Sequence, residues 1–458
     1  MTDPLRFDPA SFATFRVVSW AYDAARRTVT LGYALDDRVA FTETITFESP
    51  PPEGHPDPSG PGFERALLHL AVAAGTSYYK TAAPARVVVE GATLDPDEAD
   101  VHHRLYDEGL REFAVTNGLP VPRPVTITSD DARGRDVVVR PEPPVGALPA
   151  GLVVPIGGGK DSMVLIEAVR SLRPRLFSVN PHPLVRALAE EAGLELVVVR
   201  RRLDPQLGDL HGAGALNGHV PITAIVSLIA AVGAFVHGYD TVAMAVERSA
   251  SEETVSVGGV PVNHQYSKSR EFESVLAALL RRTVAPELTY GSALRPYAEL
   301  AIARAFAGLT RYHGTFCSCN TAFRQGAGPD DRWCGHCPKC RFVGLMLAPF
   351  LERAQLTEVI GTDMFADPGQ VEGFAALMSD ADKPFECVGE RRESAAALRM
   401  LASRPGWRDT PVVAALAVRA ARLVDDAGVE ELLTPDDALR FADPAVAEAV
   451  AALLEGPR

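Results

Sequence analysis

The segment Val153-Val154-Pro155-Ile156-Gly157-Gly158-Gly159-Lys160-Asp161-Ser162 runs an apolar strand through three glycines into the start of an apolar-periodic helix. Such a turn exposes backbone N–H groups at a helix N-terminus, where phosphates bind well. Spacing excludes two commoner glycine motifs. A Walker A loop needs glycine at 154 and Ser or Thr after the lysine, where Val154 and Asp161 stand. The dinucleotide fingerprint needs a small residue at 162, which is Ser162, and a ribose-binding acid about 20 residues on, which is missing. A second cluster follows: five of the six cysteines lie between Cys317 and Cys340, as Cys317-x-Cys319 and Cys334-x-x-Cys337-x-x-Cys340. Thiolates at these spacings point to a tetrahedral zinc site of the closed, structural kind, with one cysteine more than four ligands require. A ferredoxin-type iron–sulfur run would want cysteine at 344, where Gly344 stands.

The elements that must hold these residues are legible in the pattern. Phe15 to Tyr22, Thr28 to Leu35 and Phe41 to Phe47 are β-rich runs at short spacing, expected to form a small antiparallel meander. Prolines at 50, 51, 52, 56, 58 and 61 make a loop. Phe63 to Ala74 reads as helix and Ala85 to Glu90 as strand, and Pro141 to Gly151, with four prolines and two glycines, reads as a linker. Beyond it, strand and helix alternate: Leu152 to Ile156, a helix from Asp161, Leu176 to Val179, a helix from Pro183, Leu194 to Val199, a helix near Asn217 to Val236, and Thr241 to Val246. That alternation predicts an α/β fold with a doubly wound parallel sheet. From Phe342 on, alanine and leucine recur with helical period. The expected division is an α+β domain over 1–140, a linker over 141–151, the α/β domain with its zinc knuckle over 152–345, and a helical extension over 346–458.

Bulk properties narrow the function classes. The chain has 458 residues, 47% of them hydrophobic and 23% charged, an ordinary globular composition long enough for two or three domains. A net charge of −14 and a pI near 5.3 disfavour a nucleic-acid partner. The opening residues Met1 to Pro9 are polar and lack the pattern of a secretory leader, so a cytoplasmic location is expected. The longest apolar run, Val220 to Val236, contains Thr223, Ser227 and Gly233 and is expected to be a buried helix instead of a membrane span. Oligomeric state is not legible.

The string Gly157 to Ser162 resembles the PP-loop of ATP pyrophosphatases, with its Ser-Gly-Gly-x-Asp-Ser signature. By that resemblance, the amides of Gly158 to Ser162 and the Ser162 hydroxyl hold the pyrophosphate of ATP, Asp161 helps position Mg²⁺, and Lys160 offsets phosphate charge. Gly157 departs from the pattern, standing where the family has serine. Asn180, just past the second strand of the α/β region, lies where an open sheet receives its ligand or serves as a turn residue. Ser318-Cys319-Asn320 and Trp333-Cys334-Gly335-His336-Cys337-Pro338-Lys339-Cys340-Arg341 are similar to the zinc knuckle of PP-loop nitrile synthases. That likeness assigns the metal to Cys319, Cys334, Cys337 and Cys340 and leaves Cys317 free.

Further runs, Asn217-Gly218-His219-Val220-Pro221, Glu247-Arg248-Ser249-Ala250, Val262 to Ser269 and Leu294 to Leu300, resemble the UDP-N-acetylmuramoyl-L-alanyl-L-glutamate epimerase (MurL) family of peptidoglycan synthesis, over roughly 150 to 350. The implied reaction is ATP-dependent inversion of the terminal L-glutamate of a UDP-N-acetylmuramoyl dipeptide, through adenylation of a carboxylate, exchange of the α-proton and hydrolysis. His264 is the first candidate acid or base, because its ordinary pKa lies closest to working pH. Lys268 is a base if desolvated, or binds nucleotide or carboxylate. Cys317 is a thiol base, an acyl acceptor, a small buried thiol or an alternative metal ligand. Arg295 suits capture of a carboxylate or diphosphate, and Glu247, at a strand end, suits Mg²⁺ or the orientation of a base. The alternative is a PP-loop amide or nitrile synthase acting on a deazaguanine-type carboxylate.

Overall fold

The structure, a computed structural model, describes residues 7–130, 148–252, 255–322, 332–379, 384, 386 and 388–456. Residues 141–147 of the expected linker lie outside these. The chain is a mixed α/β protein of two compact units, each assembled from separated segments: Met1–Gly151, Val197–Val242 and Ser256–Tyr290 in the first, Leu152–Leu196, Ala243–Val255 and Gly291–Arg458 in the second. The first unit therefore takes in segments from beyond the expected linker.

In the first unit, β1 (Thr14–Asp23), β2 (Thr28–Leu35) and β3 (Val39–Phe47) form the expected antiparallel meander. Apolar residues alternate along it, so that Val29, Leu31 and Tyr33 on β2 and Phe41, Ile45 and Phe47 on β3 are buried. β4 (Arg86–Glu90) and β5 (Thr126–Asp130) extend it in parallel beyond β1. The β8 segment of Leu196–Arg202 pairs antiparallel with β3 on the other side. Glu43 sits in the buried file of β3 because Arg201 of β8 meets it, Nε donating to Oε1 at 2.7 Å. The helix Pro61–Ala74 is buried along most of its length, and the Tyr33 hydroxyl donates to its Ala71 carbonyl at 3.0 Å. The expected apolar helix begins at Ile222, one residue after Pro221, and ends at His237. Most of its side chains are buried, and no helix among the described residues is long and apolar enough to cross a membrane.

In the second unit, β6 (Leu152–Pro155) and β7 (Arg175–Val179) run parallel, with Val154 opposite Leu176. The helices Lys160–Ala168 and Pro183–Ala192 follow them, as the alternating pattern requires. The later residues of β9 (Thr241–Met244), Ala243 and Met244, and of the final strand (Thr289–Ser292), Gly291 and Ser292, also belong to this unit. From Pro338 onward the described residues contain helices and no strand. One core joins these parts: Leu165, Phe306, Phe342, Leu398 and Trp407 are all enclosed within it. The helical C-terminal stretch thus shares a core with the helix that follows the glycine turn and packs against that helix.

Candidate functional site

The glycine turn is shaped by the strand before it and the helix after it. Ile156 still donates to the Phe177 carbonyl of β7 at 2.9 Å, after which the chain leaves the sheet. Gly158 has φ +95°, a conformation that side chains resist, and Gly159 is the residue before the helix Lys160–Ala168. No side chain caps that helix, so its first amides are available to a ligand. The Ser162 hydroxyl turns back onto the Gly159 carbonyl at 2.9 Å. Asn180 follows β7 directly and adopts φ +50°, which asparagine tolerates better than most residues.

Beneath the turn lies a group that the sequence disclosed only in part. Asp161, Glu247 and Glu299 each offer a carboxylate oxygen, all within 4.8 Å of one another. Lys160, expected to face phosphate, points inward: its ammonium is enclosed and ion-paired to both Asp161 and Glu299. Burial works against the lysine's charge, and the two carboxylates more than offset it, so its pKa is raised. Glu299 is pushed upward by burial and by Asp161, with Lys160 opposing and Glu247 adding to the rise. The Glu299 amide donates to Oε1 of Glu393 at 2.6 Å, while the Glu390 amide donates to Oε2 at 2.9 Å. Arg295 is enclosed, with Nη1 donating to the Glu247 carbonyl at 2.7 Å, so it braces the chain that presents Glu247. Glu299 lies inside a run marked for its polar density, yet nothing in the sequence set it apart from its neighbours. Glu393, which forms a capping box with Glu390, was likewise not singled out by the sequence.

Cys319, Cys334, Cys337 and Cys340 converge with their sulfurs within 4.8 Å of one another. Cys319 and Cys337 are 4.0 Å apart and Cys334 and Cys340 3.8 Å. Metal–sulfur bonds of about 2.3 Å at the tetrahedral angle put sulfurs about 3.8 Å apart, so the four fit a zinc-sized ion. Amides of Cys334, Cys337 and Cys340 donate to the sulfurs of Cys319, Cys334 and Cys337 at 3.3 to 3.4 Å, which favours the ligating anion. Gly335, at φ +72°, allows the tight turn between them. Cys317 stands apart: its sulfur donates to the Arg332 carbonyl at 2.7 Å and accepts from the Cys319 amide at 3.3 Å. Burial pushes this thiol up to about 11, so it is held as a neutral donor.

The remaining expected residues belong to the first unit. A hairpin turning at Gly258 and Gly259, both at positive φ, delivers the stretch from Asn263 to Ser269. His264 Nδ1 meets Glu112 Oε2 at 2.8 Å, and His219 Nδ1 lies 3.7 Å from the same oxygen, with the two rings 4.6 Å apart. Burial, and after it the charge of His264, pushes His219 down to about 4, with Lys268 and Lys80 adding and Glu112 opposing. Lys268 Nζ donates to Gln265 Oε1 at 3.0 Å. Glu112 sits on the helix Arg111–Thr116, in a region where the sequence carried no functional signal. Of the five residues expected to do proton or carboxylate chemistry, Glu247, Arg295 and Cys317 thus share the unit of the glycine turn, and His264 and Lys268 share the other.

Comparison with known proteins spans nearly the whole chain. Residues 6–293 match the family described as MurL N-terminal domain and residues 315–431 the one described as MurL C-terminal domain. The chain is 43% identical over 419 residues to a Salinispora tropica protein named UDP-N-acetyl-alpha-D-muramoyl-L-alanyl-L-glutamate epimerase, with 88% of each chain covered. It is 39% identical over 415 residues to a protein of the same name from Xanthomonas oryzae pv. oryzae, covering 89% of this chain and 90% of the relative. No solved structure matches the chain.

Proposed function

The chain belongs to the MurL family, and from that membership we propose that it inverts the terminal L-glutamate of UDP-N-acetylmuramoyl-L-alanyl-L-glutamate to D-glutamate, splitting ATP into AMP and pyrophosphate. The observation that carries the ATP half of this reading is the uncapped helix start at Gly159 with a carboxylate trio beside it. Similarity over 88–89% of the chain to proteins bearing the epimerase name supports the substrate half.

The chemistry has a clear order. Removing an α-proton next to an ionised carboxylate builds a dianion, whereas adenylation first makes that carboxyl neutral and the proton more acidic. The amides of Gly158 to Ser162, with Gly157 and Asn180 at the edges, receive the phosphate chain. Asp161, Glu247 and Glu299 would hold Mg²⁺, which supplies charge to offset that of the phosphates. Lys160 keeps the buried carboxylates together, and Arg295 fixes the segment bearing Glu247. For proton transfer we assign His264, oriented through Nδ1 by Glu112, with Lys268 as the neighbouring cation. Cys317, already a donor to a carbonyl, is assigned a structural part. Cys319, Cys334, Cys337 and Cys340 would hold a structural Zn²⁺. Water then releases AMP and restores the carboxylate. Both substrates being soluble nucleotides, we place the reaction in the cytoplasm.

The test is incubation of the full chain with Mg·ATP and the UDP-muramoyl dipeptide, followed by hydrolysis, separation of glutamate enantiomers and assay of AMP. D-Glutamate and AMP appearing together, each requiring both substrates, is the expected result. AMP without inversion would remove the assigned substrate, and inversion without ATP would remove the adenylation step.

A further inference from the structure

The stretch that leads into the cysteine cluster is tied to the glycine turn before it reaches the metal ligands. The Cys317 amide donates to the Gly158 carbonyl at 3.0 Å, and two residues later Cys319 is one of the four converging sulfurs. Ser318, half-buried, lies between these two fixed points. Its hydroxyl stands 3.0 Å from where a Cβ on Gly159 would be, so this glycine makes room for it. That hydroxyl has no hydrogen-bond partner among the described residues. Ser162, the hydroxyl inside the turn itself, is engaged by the Gly159 carbonyl at 2.9 Å. The turn therefore offers amides and no uncommitted hydroxyl of its own, while one arrives from another segment of the same unit.

We propose that Ser318 is a phosphate-binding residue whose hydroxyl donates to the phosphate chain of the nucleotide held by the amides of Gly158 to Ser162. This rests on the ATP reading of the glycine turn and adds a ligand to it. A half-buried hydroxyl donor beside several amides is what a multiply charged phosphate oxygen accepts. The arrangement also gives the cysteine cluster a task beyond stability: by fixing Cys319 it sets where Ser318 stands. Metal binding and nucleotide affinity are thereby coupled through one residue.

The experiment is calorimetric titration of a non-hydrolysable ATP analogue with Mg²⁺ into the full chain, with bound metal per chain quantified in parallel. Ser318→Ala is expected to weaken binding about 10-fold or more, the range for a lost hydrogen bond to a charged group, while keeping its metal. A second variant adds Gly157→Ser to Ser318→Ala. Position 157 lies outside the left-handed region, and a Cβ there meets nothing within 4 Å, so a hydroxyl can be placed on the turn from this side. Recovery of most of the lost affinity in the double variant supports a donor role. Ser318→Ala binding as tightly as the parent overturns the proposal, and so does weakened binding with metal loss and no recovery in the double variant. Failure of the parent chain itself to bind the analogue would refute the ATP reading, a result distinct from an indifferent variant of a binding-competent parent.

Discussion

Replacing Lys160 by methionine keeps most of the side-chain volume and removes a charge enclosed by carboxylates. Asp161, Glu247 and Glu299 would then face one another with oxygens within 4.8 Å, and two unit charges at that separation repel by about 3.5 kcal/mol at an effective dielectric of about 20. The general cost of removing one partner from a buried ion pair, about 3–5 kcal/mol, agrees. Glu299 is the group that relieves the repulsion, since burial already pushes its pKa upward and Lys160 is what holds it down. A carboxyl whose folded pKa exceeds its unfolded value of about 4.3 favours the fold in acid and loses that contribution as pH rises through the folded value. Urea unfolding at pH 8 is therefore expected to show Lys160→Met about 3 kcal/mol less stable than the parent. Without Lys160 the folded pKa of Glu299 rises above its value in the parent, and as pH falls from the variant's value to the parent's the deficit should shrink by about 1.4 kcal/mol per unit of pH. Millimolar Mg²⁺ should recover part of it at pH 8, by binding the folded state alone. A deficit under about 1 kcal/mol, equal at pH 6 and pH 8 and indifferent to Mg²⁺, would refute the account of this cluster.

Other perturbations address the remaining parts. His69 and His102 are buried, with Nδ1 of the first 3.0 Å from Nε2 of the second, and burial pushes His69 down and His102 down to about 3. Their stabilising contribution is complete above the unfolded value near 6.5 and is lost as pH falls below it, about 1.4 kcal/mol per histidine at pH 5.5. Melting temperatures measured from pH 7.5 to 5 should fall, and His102→Gln should flatten the slope. Glu112→Gln should slow solvent-deuterium incorporation at the glutamate α-carbon about 10- to 100-fold and leave the KM for ATP unchanged, which single-turnover mass spectrometry can follow. Cys334→Ser should lose the bound metal and lower the melting temperature, whereas Cys317→Ala should keep the metal, as elemental analysis of the purified variants would report.

How far the sequence reached depends on the range of the contacts involved. The meander of β1 to β3, the strand–helix alternation from β6, and the helical C-terminal stretch were legible because each is a local periodicity. The expected helix near Asn217 started instead at Ile222, because Pro221 fits at a helix start and not within it. The glycine turn and the cysteine spacings were legible for the same local reason. The surroundings of Lys160 were not: its partners are a neighbour and Glu299, which is 139 residues away. Glu112 meets His264 across 152 residues of sequence. A carboxylate drawn from an unremarkable helix leaves no periodic mark, so pairs of this kind surface only when the chain is folded.

Glu393 accepts from the Glu299 amide, and the same carboxylate closes the start of its own helix, Arg391–Ala402. Gly389 is held so close that a Cβ there would come within 2.6 Å of Phe342 and 3.2 Å of Glu299. During synthesis this support is made well after the glycine turn, which precedes it in the chain. A nascent or prematurely terminated chain lacking it would carry the nucleotide-binding turn without the brace behind its carboxylates. The order of manufacture thus delays assembly of this centre until the helical segment has folded onto it.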